Sequence, residues 1–112
     1  MINVLLERTK SGALIACKAD GHAQYARKGF DIVCSAVSVL IKTTLLVMED
    51  ISGIELETEL AERGHVSFRV KSSENIPDAE EKLKFAGEFL EKGLGSISEE
   101  YPDNLSVMYT TV

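Results

Sequence analysis

Apolar and polar residues along the chain fall into two periods, and the switches between them mark the elements. In residues 2–8 (INVLLER), Ile2, Val4 and Leu6 alternate with Asn3 and Glu7, as in a strand. Thr9-Lys10-Ser11-Gly12 has turn composition, and residues 13–19 (ALIACKA) read as a second strand, so a hairpin opens the chain. Residues 20–30 (DGHAQYARKGF) carry no clear period and form a loop. It is longer than the usual median of about 4–6 residues, and such loops are often functional. Asp31 then opens an apolar stretch reaching residue 50, too long for a strand. Asp31 is a good N-cap, and Ser52-Gly53 ends the segment. Apolar residues cover most of this helix's circumference, which predicts burial on more than one side, in its own core or against a partner subunit. The polar exceptions Asp31, Cys34, Ser35, Ser38 and Lys42 fall at helical spacing and share one stripe.

Residues 54–62 (IELETELAE) alternate cleanly, with Ile54, Leu56, Thr58 and Leu60 on one face and Glu55, Glu57 and Glu59 on the other. Residues 65–71 (HVSFRVK) repeat the pattern with Val66, Phe68 and Val70 inward. Matching the apolar faces sets Leu60 opposite Val66 and leaves Glu62-Arg63-Gly64 as a three-residue loop ending in glycine. That register puts Glu57 across from Arg69 and Glu55 across from Lys71, two opposite-charge pairs. Residues 72–76 read as a loop, and Pro77 is a natural first helical residue. Ala79, Leu83, Ala86, Leu90 and Ile97 keep helical spacing, with Gly93 and Gly95 as possible interruptions and Tyr101-Pro102-Asp103 as the stop. Residues 104–112 (NLSVMYTTV) read as a last strand.

The order is ββαββαβ: an α+β domain over residues 1–112, a five-stranded sheet and two helices in two layers. The length fits one core. Twelve Lys+Arg against eighteen Asp+Glu give a net charge of −6. This argues against direct nucleic-acid binding, which needs a positive face, and favours a basic partner. No apolar run is expected to reach a membrane span, and Met1-Ile2-Asn3-Val4 lacks the basic start of a signal peptide. Cys17 and Cys34 are too few for a disulfide scaffold, so both are expected as reduced thiols in the cytoplasm.

Cys34 is the residue with most chemical promise. With Asp31 as cap it is the third helical residue, where unpaired N–H groups and the helix dipole favour a thiolate. The same N–H groups suit the oxyanion of an acyl transfer. The plain alternative is a small core residue. His22, in Gly21-His22-Ala23, stands at the other end of the loop that feeds the helix. A thiol nucleophile needs such an imidazole as base and then as acid. Gly21 lets the backbone turn beside it. Asp31 is either the helix cap or a group orienting His22. Ser38, one turn after Cys34, either bonds a catalytic group or substrate or bonds back into its helix. His65 is expected on the exposed face with no role, and Cys17 buried and inert. The spacing 17-22-34-65 contains no metal-ligand pair, so no metal is expected, and no nucleotide loop is present.

The stretch Gly21-His22-Ala23, six residues, Gly29-Phe30-Asp31-Ile32-Val33-Cys34, then Ala36-Val37-Ser38 resembles the ribosomal-processing cysteine protease (Prp) family, as do the length and element order. Ser35 stands where that family often has alanine. The resemblance implies a catalytic pair of His22 and Cys34, with Asp31 and Ser38 in support and no cofactor. It implies a homodimer that removes a short N-terminal extension from the precursor of a large-subunit ribosomal protein, cleaving after aromatic residues. The 23–30 segment would close over the peptide, with Gly29 in the segment and Tyr25 and Phe30 lining an apolar subsite. The rival from the residues themselves is a non-catalytic dimeric module that binds a ribosomal protein or an assembly intermediate.

Overall fold

Strand and helix follow the two periods closely. The computed structural model describes residues 1–21, 30–59, 65–73 and 77–112. Its elements are β1 (Ile2–Arg8), β2 (Leu14–Asp20), α1 (Phe30–Glu49), β3 (Ile54–Glu59), β4 (His65–Ser73), α2 (Pro77–Glu100) and β5 (Leu105–Thr111). They form the expected α+β order, ββαββαβ. The sheet order is β3-β4-β2-β1-β5, antiparallel throughout except that β5 runs parallel to β1. The alternating residues Ile2, Val4, Leu6, Cys17, Ala19, Phe68 and Leu105 form one buried face. Against it pack Val33, Val37, Ile41, Leu45 and Met48 of α1 and Ala79, Leu83, Ala86, Leu90 and Leu94 of α2. The opposite face of the sheet carries the polar residues.

Several expectations shift in detail. β4 runs two residues further than the pattern suggested, to Ser73. Glu57 does stand opposite Arg69, but Glu55 stands opposite Ser72, because a bulge at Glu55/Leu56 moves the register. Glu55 and Lys71 still approach to 3.9 Å. Arg69 reaches over small Ala16 to Glu7 of β1, at 2.5 Å. Leu60 and the loop expected at 62–64 lie outside the described residues.

Gly93 and Gly95 do not interrupt α2, which is continuous to Glu100. Gly93 is where the helices meet: a Cβ there would stand 2.4 Å from Leu40 Cδ2. The expectation about membrane spans is also corrected, since Ile32–Glu49 averages a hydropathy of 1.8 over 18 residues, enough to cross a bilayer by length and composition. The packing gives that apolarity another use. One side of the helix is the core of the domain, and Ile32, Val39, Leu46 and Val47 face outward and exposed.

A different glycine is held by backbone. Gly21, directly after β2, has φ +102°, and a Cβ there would stand 2.3 Å from the Met1 carbonyl oxygen. A side chain is strained there both by the dihedral and by an atom that cannot swing aside. Gly21→Ala should therefore lower unfolding stability by about 2 kcal/mol in denaturant titration. Gly93→Ala should change it by less than about 1 kcal/mol, because Leu40 is a flexible side chain and the helix gains alanine's propensity. Equal costs for the two would contradict this reading.

Candidate active site

The phase of α1 decides where Cys34 lies. Val33 and Val37 are fully buried under the sheet, so the positions one residue on stand about 100° round the helix, at the edge of the buried face. Cys34 and Ser38 occupy them, and both are half-buried. They are one turn apart, so they share a side of the helix. Ser35 and Lys42, placed on the same polar stripe by the sequence, are instead exposed. The stripe thus straddles the boundary between cleft and solvent.

Beside Cys34 and Ser38 opens a narrow cleft walled by Ile2, Ala19, Asp20, Val37, Ile41 and Val66. Its free volume is about 20 Å³, close to the room one water needs, and far short of an aromatic ring. The cleft sits where β2 ends and α1 begins.

The helix starts two residues earlier than expected. Phe30 is its first residue, so Asp31 lies within the first turn and is not the cap, and Cys34 is the fifth helical residue and not the third. The N–H groups without partners inside the helix then belong to residues 30–32, and the Cys34 N–H is already in the helical ladder. Because Cβ bonds tilt toward a helix N-terminus, the sulfur still leans back toward those donors. Ser38 makes no hydrogen bond among the described residues, whereas Thr44 of the same helix donates to the Leu40 carbonyl at 2.8 Å. The back-bonded alternative therefore does not describe Ser38.

The second cysteine has a different environment. Cys17 is buried opposite Phe68 in mid-sheet, and burial pushes its thiol up to about 12. It cannot supply a thiolate at neutral pH, and it is inert as expected. Among the described residues no three His, Cys, Asp or Glu side chains gather closely enough to hold a metal ion.

His65 departs from expectation. It is directly opposite Asp20 in the β2–β4 register, and its Nδ1 donates to Asp20 Oδ1. Its side chain is 24% exposed. The sequence pattern placed it on the face away from the helices, but gave no sign that β2 would be its neighbour. His22, Tyr25 and Gly29 lie outside the described residues, and Phe30 and Asp31 are placed only as the first two residues of α1. The structure thus brings Cys34 and Ser38 together with the end of β2 from which Gly21 and His22 follow.

The family model for the cysteine protease Prp matches residues 1–106. The ribosomal processing cysteine protease Prp of Bacillus subtilis (strain 168) is 25% identical over 107 residues, 96% of each chain. The fold matches that of the S. aureus ribosomal processing protease Prp solved with a substrate peptide, with a TM-score of 0.79 and 21% identity over 98% of this chain and all of the other. SMU.848 from Streptococcus mutans is similar at a TM-score of 0.78 and 26% identity, covering 100% of this chain and 96% of its own. With a half-buried thiol in a cleft at the start of its first helix, and a family match over nearly its whole length, the chain belongs to the Prp family and is a cysteine protease.

Proposed function

We propose that the chain is a cysteine endopeptidase that removes a short N-terminal extension from a large-subunit ribosomal protein, cutting after aromatic residues. The observation that carries this reading is the placement of Cys34, half-buried at the cleft and beside the strand end that leads to His22. The names of the Bacillus and Staphylococcus relatives support the ribosomal substrate. The net charge of −6 favours encounter with a basic protein. The proposed place of action is the cytoplasm, where thiols stay reduced.

The chemistry runs through two residues. His22 takes the Cys34 proton, and the thiolate attacks the scissile carbonyl carbon. Unpaired N–H groups of the first turn of α1 stabilise the resulting oxyanion. The C–N bond then breaks as His22 protonates the leaving nitrogen, and water hydrolyses the thioester. Ser38, with its hydroxyl uncommitted in the helix, is available to substrate at the cleft. The described cleft holds no ring, so the aromatic subsite in this reading is built by Tyr25 and Phe30. Asp31, inside the first turn, is left with the orienting role and without the capping one.

The proposed assembly is a homodimer, with a second copy covering the outward face of the helices. Val39 and Leu46 are 65% and 63% exposed, one heptad apart on α1. Beside them Val47, Ile51, Phe85 and Phe89 line an apolar cleft of about 520 Å³ between the helices. An isolated domain rarely leaves so much contiguous apolar surface in water.

Two measurements test these statements. Incubated with the full-length ribosomal protein of its own organism, the wild type should release one N-terminal fragment ending in an aromatic residue, read by mass. Cys34→Ala and His22→Ala should each lower the rate by about 10³-fold or more. An intact substrate that still binds would instead favour a non-catalytic module. In sedimentation at micromolar concentration the wild type should run as a dimer, and Val39→Glu with Leu46→Glu should run as a folded monomer. A monomeric wild type would remove the dimer from the proposal.

A further inference from the structure

The apolar cleft between the helices has a rim of one sign. Buried Thr44, Ile51 and Ala86 line it together with the exposed side chains of Val47, Phe85 and Phe89. Phe85 and Phe89 are 70% and 48% exposed and one turn apart, so their rings are neighbours on α2. The hydroxyl of Thr44 is spent on the Leu40 carbonyl. The volume of about 520 Å³ falls within the roughly 300–1,000 Å³ of clefts that enclose a ligand.

The two stretches that form the cleft, residues 43–51 and 78–89, hold six carboxylates against two lysines, a net charge of −4. Both lysines are already paired within α2, Lys82 with Asp78 at 3.0 Å and Lys84 with Glu81 at 3.4 Å. Glu49, Asp50 and Glu88 are exposed and have no cationic partner among the described residues. Glu49 and Asp50 also stand at the C-terminal end of α1, where the helix dipole is negative and a cation is favoured, yet the last turn holds no basic residue. Apolar walls under an acidic rim suit an amphipathic segment that brings Lys or Arg beside its apolar side chains. A second copy of this chain would bring the same excess of carboxylates to the cleft. The stripe proposed for the homodimer runs through Val39 and Leu46, and Val47 stands about 100° further round α1, toward α2.

We propose that this cleft is an exosite of the peptidase: it holds a basic, amphipathic segment of the protein substrate while Cys34 cuts elsewhere in the same substrate chain. The inference rests on the peptidase reading above. Helix geometry sets the spacing between the two points. Thr43 and Asp50 lie about 14 and 24 Å beyond Cys34 along the axis of α1, and crossing the helix adds about 10 Å. An extended chain covers about 3.4 Å per residue, so the docked segment begins roughly seven to ten residues from the scissile bond. The extension removed is short, so the segment belongs to the mature part of the substrate.

The test gives the full-chain enzyme two substrates. One is the full-length ribosomal protein of its own organism, and the other is a synthetic peptide ending about five residues past the cut, too short to reach the cleft. Phe85→Ala with Phe89→Ala should raise KM for the full-length protein by about tenfold, with kcat within about twofold of wild type. Glu49→Lys with Asp50→Lys, at exposed positions that leave the apolar packing intact, should do the same. It should also weaken the rise of that KM with added salt that the wild type shows. For the short peptide, both variants should keep kcat and KM within about twofold of wild type, and their sedimentation should match the wild type. A wild-type KM for the full-length protein in both variants overturns the exosite and leaves the peptidase reading standing. So do equal losses on the two substrates, and so does a changed state of association, which would make a second copy the occupant. A wild type that cuts neither substrate overturns the peptidase reading, and the exosite with it.

Discussion

Burial of one face of α1 is the constraint on which the rest depends. Val33, Val37, Ile41, Leu45 and Met48 are locked against the sheet, and a helix has no freedom to turn about its axis once five such residues are fixed. That lock sets the azimuth of every other side chain on α1. It holds Cys34 and Ser38 at the rim of the core, neither immersed as Cys17 is nor free in water as Ile32 is. It also turns Val39 and Leu46 outward. The exposure of Cys34 and the apolar outer stripe thus come from one packing decision and cannot be varied independently.

The two cysteines show how far environment decides chemistry. They are the same thiol in the same small domain. Cys17 sits between Leu6 and Phe68 on the covered face of the sheet, where a negative charge has no solvent, and its proton is held to about 12. Cys34 is half-buried and borders a cleft near the start of α1. Burial sets Cys17 apart as the inert thiol. No shielding partner is needed to keep the wrong thiol out of the reaction.

Much of this was legible in the residues because it is local. The alternation in β1 to β4, the length of α1, the Pro77 start and the facing of Glu57 with Arg69 depend on neighbours in sequence or on one hairpin. The motif around Gly21-His22-Ala23 and Cys34 was equally plain, being written in adjacent residues. What escaped was non-local. Nothing in residues 104–112 says that they will lie parallel to β1, since either edge of the sheet would accept an alternating strand. The bulge at Glu55/Leu56 has no glycine to announce it. The start of α1 lies two residues earlier because Asp31 reads equally well as a cap and as an acid in the first turn. Gly93 read as a helix breaker because its partner, Leu40, lies fifty-three positions away on another helix.

His65 is the clearest case of the same limit. On its own strand it alternates outward with Ser67 and Arg69, and from that pattern alone the sensible inference is a solvated side chain. Its neighbour is decided by the sheet order, which sets β4 between β3 and β2 and so brings a strand from the start of the chain to its side. Asp20 likewise reads as the first residue of a loop, and is the last residue of a strand paired with Asn3 on one side and His65 on the other. Two residues without evident purpose in sequence are thus joined at the one strand end that leads to the motif histidine. Sheet order is a property of the whole fold, so a function that depends on it is invisible to any reading of segments. The partners of the strand end beside the cleft are set by sheet order, and they need not stand near the motif in sequence.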